Sequence, residues 1–271
     1  MSTLRLTLRG APAQRVDCAP LTAVPPGERS VADLAALPLV AGNRTVRVDE
    51  LFTLEGAPGE TLVVAGDGAR LDRLGAGLGG GTLRIEGAAG DYLGQGMTGG
   101  RIEVAGRVGA FAANGMKGGE IRIGGDAGDF LGAAIPGDHQ GMSGGLVLVG
   151  GNAGARAGDR MRRGAMLIAG DAGDYLASRM VAGTIAVAGA VGRGAGTGMR
   201  RGTLLLSALP AGLPPTFNDC GVFPLTVLTM LARAWRGLPG PFGALPDDRL
   251  RVRRLMGDLA NDGRGEILIR S

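Results

Sequence analysis

Two aliphatic positions, separated by one residue, return along this chain at a spacing of nineteen residues. Units beginning at Thr82, Arg101, Glu120, Leu146, Ala165 and Thr184 lie 19, 19, 26, 19 and 19 residues apart, flanked by less regular units at Thr61 and Thr203. The second position reads Leu83, Ile102, Ile121, Val147, Met166, Ile185 and Leu204, and the fourth reads Ile85, Val104, Ile123, Val149, Ile168, Val187 and Leu206. Residues two apart on an extended chain project to the same side. The pattern therefore predicts one short strand per unit, with both ladders facing inward and Arg84, Glu103 and Arg122 facing outward. A fixed period of this length is the signature of stacked repeats, in which no unit pairs its backbone or buries its apolar face alone.

Glycine follows each strand at the sixth position (Gly87, Gly106, Gly125, Gly151, Gly170, Gly189) and again at the ninth (Gly90, Gly109, Gly128, Gly154, Gly173, Gly192). These are predicted corners, where positive φ and close approach of the next unit both favour glycine. Methionine recurs at the sixteenth position, as Met97, Met116, Met142, Met161, Met180 and Met199. An unbranched side chain filling gaps under a corner explains this ladder better than a soft-metal box does. Tyr92, Phe111, Phe130 and Tyr175 share the eleventh position and predict a stack along one wall.

Stacked repeats need their ends covered. The first sixty residues offer a strand from Leu4 to Leu8 and Ser30 as the N-cap of a helix over 31–37. The last sixty offer Pro214-Pro215, a helix from Pro224 to Arg236, a Pro/Gly loop through Pro246 and an arginine-rich end. The expected fold is all-β: a single-stranded right-handed parallel β-helix of glycine-rich repeats over 61–210, with non-repeating caps at 1–60 and 211–271 that contain short helices, forming one structural domain.

Composition agrees with a repeat architecture. Glycine, with 53 of 271 residues, is about three times its average share, yet hydrophobic content is an ordinary 45%, which disorder does not have. The net charge of +4 is small for this length, and no nucleic-acid partner is expected from it. Cys18 and Cys220 are far apart and lack a CxxC partner, which suits a reducing, cytoplasmic setting. The N-terminus has no signal-peptide apolar core, and no membrane span is expected.

Catalytic chemistry is sparse. His139 is the one histidine, no GxSxG elbow accompanies it, and a multi-histidine metal site is excluded by that count. Gly94-Gln-Gly96 reads as a repeat corner rather than a dinucleotide fingerprint. The Gly-Asp pairs, such as Gly125-Asp126 and Gly128-Asp129, lack the tandem nonapeptide pattern of calcium-binding β-rolls. A solenoid acyltransferase using His139 as base is the enzyme alternative, although its six-residue grammar does not divide nineteen.

Two features go beyond architecture. The longer unit carries a seven-residue excess placed at Ala133 to His139, and Pro136, Asp138 and His139 are its candidate partner-contact residues. Lys117, Arg162, Arg163, Arg200 and Arg201 fall at matching positions after the methionine, with Arg160 and Arg179 just before it. They predict a basic strip that either binds an acidic partner or is a solvated edge that discourages aggregation.

The segments Gly87-Ala-Ala-Gly90-Asp-Tyr-Leu-Gly94 and Gly125-Asp-Ala-Gly128-Asp-Phe-Leu-Gly132 resemble the GXGXG β-helix repeat shared by the large subunit of glutamate synthase and the C subunit of formylmethanofuran dehydrogenase. The interrupted unit ending Pro136-Gly-Asp-His-Gln-Gly-Met-Ser-Gly-Gly145 resembles the second of these, as do Gly42-Asn43 through Leu51-Phe52, Phe217 with Gly221, and Gly257-Asp258-Leu259 with Gly263 to Leu268. Arg163, Ala182 and Arg201 depart from it by replacing glycine. The resemblance implies a non-catalytic, cytoplasmic scaffold subunit of a heteromeric complex with no cofactor of its own. In bacteria that complex is a formyltransferase/hydrolase, which moves a formyl group from tetrahydromethanopterin to a furan carrier and hydrolyses it to formate, with metal in another subunit. The alternative it leaves open is a molybdenum or tungsten formylmethanofuran dehydrogenase. It also implies that the strip could hold the carrier's glutamate-rich tail.

Overall fold

A computed structural model describes residues 2–245 and 251–270, so the Pro246 end of the predicted Pro/Gly loop lies outside the described residues. The chain is mostly sheet with few helices: a 13-stranded mixed sheet, not closed as a barrel, and a separate 4-stranded sheet. The repeat strands, Thr61–Ala65, Thr82–Ile85, Arg101–Val104, Glu120–Ile123, Ser143–Val149, Arg163–Ile168, Thr184–Val187 and Thr203–Leu206, each pair in parallel with the next. The register follows the sequence ladders: Leu83 faces Ile102, Ile102 faces Ile121, Ile121 faces Val147, and Val147 faces Met166. A second parallel ladder runs through Ala89, Val108, Ala127, Ala153, Ala172 and Val191.

Both termini lend a rung to the main ladder. Thr3–Leu8 pairs in parallel with the first repeat strand, setting Leu4 beside Leu62 and Leu6 beside Val64. Gly265–Arg270 pairs in parallel with the last, setting Ile267 beside Leu204 and Ile269 beside Leu206. Antiparallel strands then close each end, Phe52–Gly56 on the first side and Arg251–Gly257 followed by Asn218–Pro224 on the other. The predicted helices form as Val31–Ala35, where the Ser30 hydroxyl accepts from the Asp33 N–H, and as Thr226–Trp235.

The interior takes the second, fourth, eighth, twelfth and sixteenth positions of every unit. All six ladder methionines are fully buried, as are Leu93, Ala112, Leu131, Ala157, Leu176 and Ala195 at the twelfth. The predicted aromatic wall forms over three units, with ring centroids 5.1 Å apart for Tyr92 and Phe111 and 4.6 Å for Phe111 and Phe130. Tyr175 is separated from that stack by Arg156, whose guanidinium lies 4.8 Å over its ring.

The corner glycines work differently from the expectation. None of the sixth- or ninth-position glycines has positive φ; the left-handed residues are instead at the eleventh, thirteenth, fifteenth and nineteenth positions and include Tyr92 (φ 60°) and Phe111 (φ 57°). What forbids a side chain at the sixth and ninth is space. A Cβ on Gly87 would stand 2.3 Å from the Gly66 carbonyl oxygen, and one on Gly109 2.0 Å from Asp91 Oδ1. That second contact explains the recurring Gly-Asp pairs. Asp91 Oδ1 accepts the Ala110 N–H (2.9 Å), Asp129 Oδ1 that of Ala155 (2.8 Å) and Asp174 Oδ1 that of Arg193 (2.8 Å), so each carboxylate satisfies a backbone donor of the next unit.

The outward face is also less uniform than Arg84, Glu103 and Arg122 imply. Past them the same row becomes Leu148, Leu167, Ala186, Leu205 and Leu268, all buried beneath Leu228, Trp235 and Phe242. This is a second core, built outside the sheet.

Candidate functional site

The ladder of backbone bonds fixes where the basic residues stand. The Lys117, Arg162 and Arg200 N–H groups donate to the carbonyls of Met97, Met142 and Met180, while Ser143 and Val181 make the same bond to Met116 and Met161. The three cations thus share one register on alternate units, about 9–10 Å apart at twice the strand spacing. Arg163 and Arg201 follow one residue later. All five are exposed, and among the described residues none enters an ion pair.

Arg264 joins them. Its N–H donates to the Arg200 carbonyl (2.6 Å), which extends the pairing of Glu266 with Thr203 and sets Arg264 alongside Arg201. Its side chain is likewise exposed. Sequence reasoning missed it because the chain returns to the ladder 63 residues after Thr203; the available signal was Arg264-Gly265-Glu266, which repeats Arg201-Gly202-Thr203.

Arg179 adds no free charge to the strip, whereas Arg160 keeps its charge while its side chain is held by a hydrogen bond. Arg179 Nε donates to Asp159 (2.9 Å), a buried carboxylate that also accepts from the Ser178 hydroxyl (2.8 Å). Arg160 Nη1 lies 2.6 Å from His139 Nδ1. A guanidinium only donates, so Nδ1 accepts. The histidine is thereby held by a cation, not by the carboxylate that orients a general base.

The inserted loop begins two residues later than expected. Ala133 O accepts the Asn114 side-chain amide (2.7 Å) and the Ala134 N–H donates to Asp159 O (3.2 Å), so both buried alanines remain in the ladder. The excess is Ile135 to Gly141, closed where the Met142 N–H meets Gly132 O (2.8 Å). Pro136, Asp138 and His139 are exposed at its tip, beside the strip rather than remote from it.

Asp258 ends the stack. In earlier units the fifteenth-position N–H donates to the following unit, as Gly96 does to Asn114 O (2.8 Å); in the last, Gly198 donates to Asp258 Oδ2 (3.0 Å). Burial, with 3% of the residue exposed, by itself raises this carboxyl's pKa, but donors including Gly198, Asn261 and Ala260 outweigh it and hold the pKa below the usual value. The Thr216 hydroxyl also lowers it, although that buried oxygen completes no hydrogen bond of acceptable geometry. A depressed pKa stabilises the fold above the unfolded carboxyl value near ~3.9, and that contribution is lost as pH falls through the folded value. Asp258→Ala is expected to cost about 2 kcal/mol at neutral pH and to flatten the acid limb of a melting-temperature profile below about pH 4.

Cys18 is buried, and burial, then Asp17 and Asp72, pushes its thiol pKa well up, so it is unreactive. Among the described residues no group of three His, Cys, Asp or Glu is placed to hold a metal, and no helix is long and apolar enough to cross a membrane.

No protein-family model matches the chain. The C subunit of the formyltransferase/hydrolase complex Fhc of Methylorubrum extorquens is 41% identical over 87 residues, an alignment spanning 32% of this chain and 32% of that relative. The crystal structure of the formyltransferase/hydrolase complex (FhcABCD) from Methylorubrum extorquens in complex with methylofuran contains a chain that is 38% identical, with a TM-score of 0.90 over 98% of this chain and 99% of that one.

Proposed function

Because the chain belongs to the family of C subunits of formyltransferase/hydrolase complexes, we propose that it is the non-catalytic scaffold of such a complex. The complex transfers a formyl group from tetrahydromethanopterin to a furan carrier and hydrolyses it to formate in the cytoplasm, and the reacting groups and any metal sit in other subunits. The observation that carries this reading is likeness over 98% and 99% of the two chains. The relative's structure holds methylofuran, a furan carrier of the kind required.

In this reading the architecture is a right-handed parallel β-helix over 61–210 with caps at 1–60 and 211–271. Its support is the set of parallel ladders linking each unit to the next, together with the strong right-handed preference of parallel crossovers. The helix over 31–37, the segment 217–235 and the loop around Pro136, Asp138 and His139 face other subunits. Exposed Val222, Phe223, Val227 and Met230 support the second of these contacts. Lys117, Arg162, Arg163, Arg200 and Arg201 hold the acidic tail of the carrier or an acidic face of a partner. Unpaired guanidinium groups in register suit carboxylates, each contact contributing about 0.2–1 kcal/mol, so the row acts collectively.

Reversing Arg162, Arg163, Arg200 and Arg201 to glutamate is expected to raise the carrier KM at least tenfold with the complex intact if the tail binds there. Dissociation of the complex assigns the row to a partner instead. Unchanged assembly and kinetics leave it a solvated edge. His139→Ala should not change acyl transfer; loss of activity from the isolated chain on this substitution would establish the acyltransferase alternative.

A further inference from the structure

We propose that the basic strip is an oriented binding track for an extended acidic peptide, and that Arg200, Arg201 and Arg264 form the anchor that takes the peptide's carboxyl end. The inference rests on the reading of the strip as an acid-binding surface and goes beyond it by fixing the ligand's shape, its direction and a residue, Arg264, that the repeat itself does not supply. Cations enter the file in increasing number along the stack. Lys117 is followed by Gly118, Arg162 by Arg163, and Arg200 by Arg201 with Arg264 on the next rung, so steps of two units, about 9–10 Å each, carry one, two and three charges.

The crowding at the last step is unfavourable unless an anion fills it. Arg201 and Arg264 stand side by side on paired rungs, where like charges repel, and the carboxylates nearest to Arg264 on either side are already engaged. Glu266 accepts from the Thr203 hydroxyl (2.8 Å) and from Arg254 Nε (2.9 Å), while buried Asp258 accepts from the Gly198 N–H (3.0 Å) and the Asn261 side-chain amide (2.8 Å). Asp262 is exposed and, among the described residues, enters no ion pair. Elsewhere on the stack arginines are matched, Arg84 with Glu103 (3.2 Å), Arg101 with Glu120 (3.0 Å) and Arg254 with Glu266 (2.9 Å). Three unmatched guanidinium groups suit the one place in an acidic peptide where two carboxylates belong to a single residue, a C-terminal residue whose side chain is itself acidic.

The file is long and narrow, which selects an extended chain over a compact acidic face. On one side of it the ladder methionines Met116, Met161 and Met199 are buried, and on the other run Gly119, Gly164 and Gly202. At Gly118 and Gly144 a Cβ would lie 2.5 and 2.1 Å from the carbonyl oxygens of Thr98 and Lys117, so the early part of the track stays free of side chains and leaves room for a ligand backbone against it. From Lys117 to Arg264 the row climbs five rungs, about 24 Å, the length of roughly seven extended residues.

The test is a fluorescence-anisotropy titration of the full chain with a heptaglutamate peptide labelled at its N-terminus, at fixed ionic strength. Amidating the peptide's C-terminus is expected to weaken binding about fivefold or more, whereas replacing one interior glutamate by glutamine, which removes the same single charge, should weaken it about twofold or less. Arg264→Gln should bring the free and amidated peptides within about twofold of each other without moving the chain's melting temperature, because that side chain is exposed. Lys117→Gln should weaken both peptides alike. Equal losses from amidation and interior substitution overturn the oriented anchor and leave the strip an acid-binding surface. A chain that binds neither peptide overturns that surface as well. Displacement of the peptide by inorganic phosphate at equal concentration assigns the three arginines to a compact dianion and overturns the peptide.

Discussion

Gly109→Val is expected to destabilise the chain by at least about 4 kcal/mol, the range reserved for forced clashes in a packed interior, and to lower the melting temperature followed by circular dichroism accordingly. The added Cβ alone would stand 2.0 Å from Asp91 Oδ1 and 2.9 Å from the Asp91 backbone nitrogen. The first is the side-chain oxygen that accepts the Ala110 N–H. Relief requires two adjacent units to separate, which strips parallel pairing and core burial together. Gly80→Ala is the matched control: its Cβ would meet nothing within 4 Å and its φ is not positive, so a change within about 0.5–1 kcal/mol is expected. Equal tolerance at both sites would mean that glycine is abundant for a reason other than close stacking.

Trp235→Ala is the second large effect, at about 3–5 kcal/mol, as for other buried large-to-small substitutions. Trp235 is the largest side chain that the Thr226–Trp235 helix contributes to the buried cluster with Leu148, Leu167, Leu205 and Leu268. Its removal should leave the main interior in place and release the helix, so limited proteolysis should cut near 226–235 well before global unfolding. Met230, on the opposite face and 66% exposed, provides the contrast; Met230→Ala should stay within about 0.5 kcal/mol. If Trp235→Ala leaves proteolysis unchanged, the second core does not anchor the helix.

What was legible in the residues is what depends on period alone. Leu83 through Leu204 and Ile85 through Leu206 repeat at fixed spacing with one chemical character, so strand, register and inward side all followed, as did the methionine ladder. The eighth and twelfth positions were overlooked because alanine there, as in Ala89 or Ala112, looks neutral until the stack shows it buried. Glycine misled in a different way: positive φ and lack of space both select it, and only coordinates separate Gly109, which is crowded, from the left-handed positions that Tyr92 and Phe111 also occupy.

Long returns were not legible. Leu4 and Ile267 belong to the main ladder, but the intervening segments break the period. The apolar change at Leu148 and Leu167 was written in the third positions, yet its meaning depended on Trp235 and Phe242 far along the chain. At the candidate site the spacing placed Lys117, Arg162 and Arg200 in one register with Arg163 and Arg201 beside them, whereas Arg264 was hidden by such a return. The loop was set two residues early because Ala133 and Ala134 carry no mark of the bonds to Asn114 and Asp159 that hold them.

The proposed role is that of a structural subunit with no catalysis of its own. Affinity purification of the native, tagged chain, followed by native mass spectrometry and a formyl-transfer assay, tests it directly. The expected result is a hetero-oligomer containing formyltransferase and hydrolase subunits, with activity residing in the assembly and none in the chain released from it. A monomer that co-purifies with neither of them, or an isolated chain that transfers acyl groups, would contradict it.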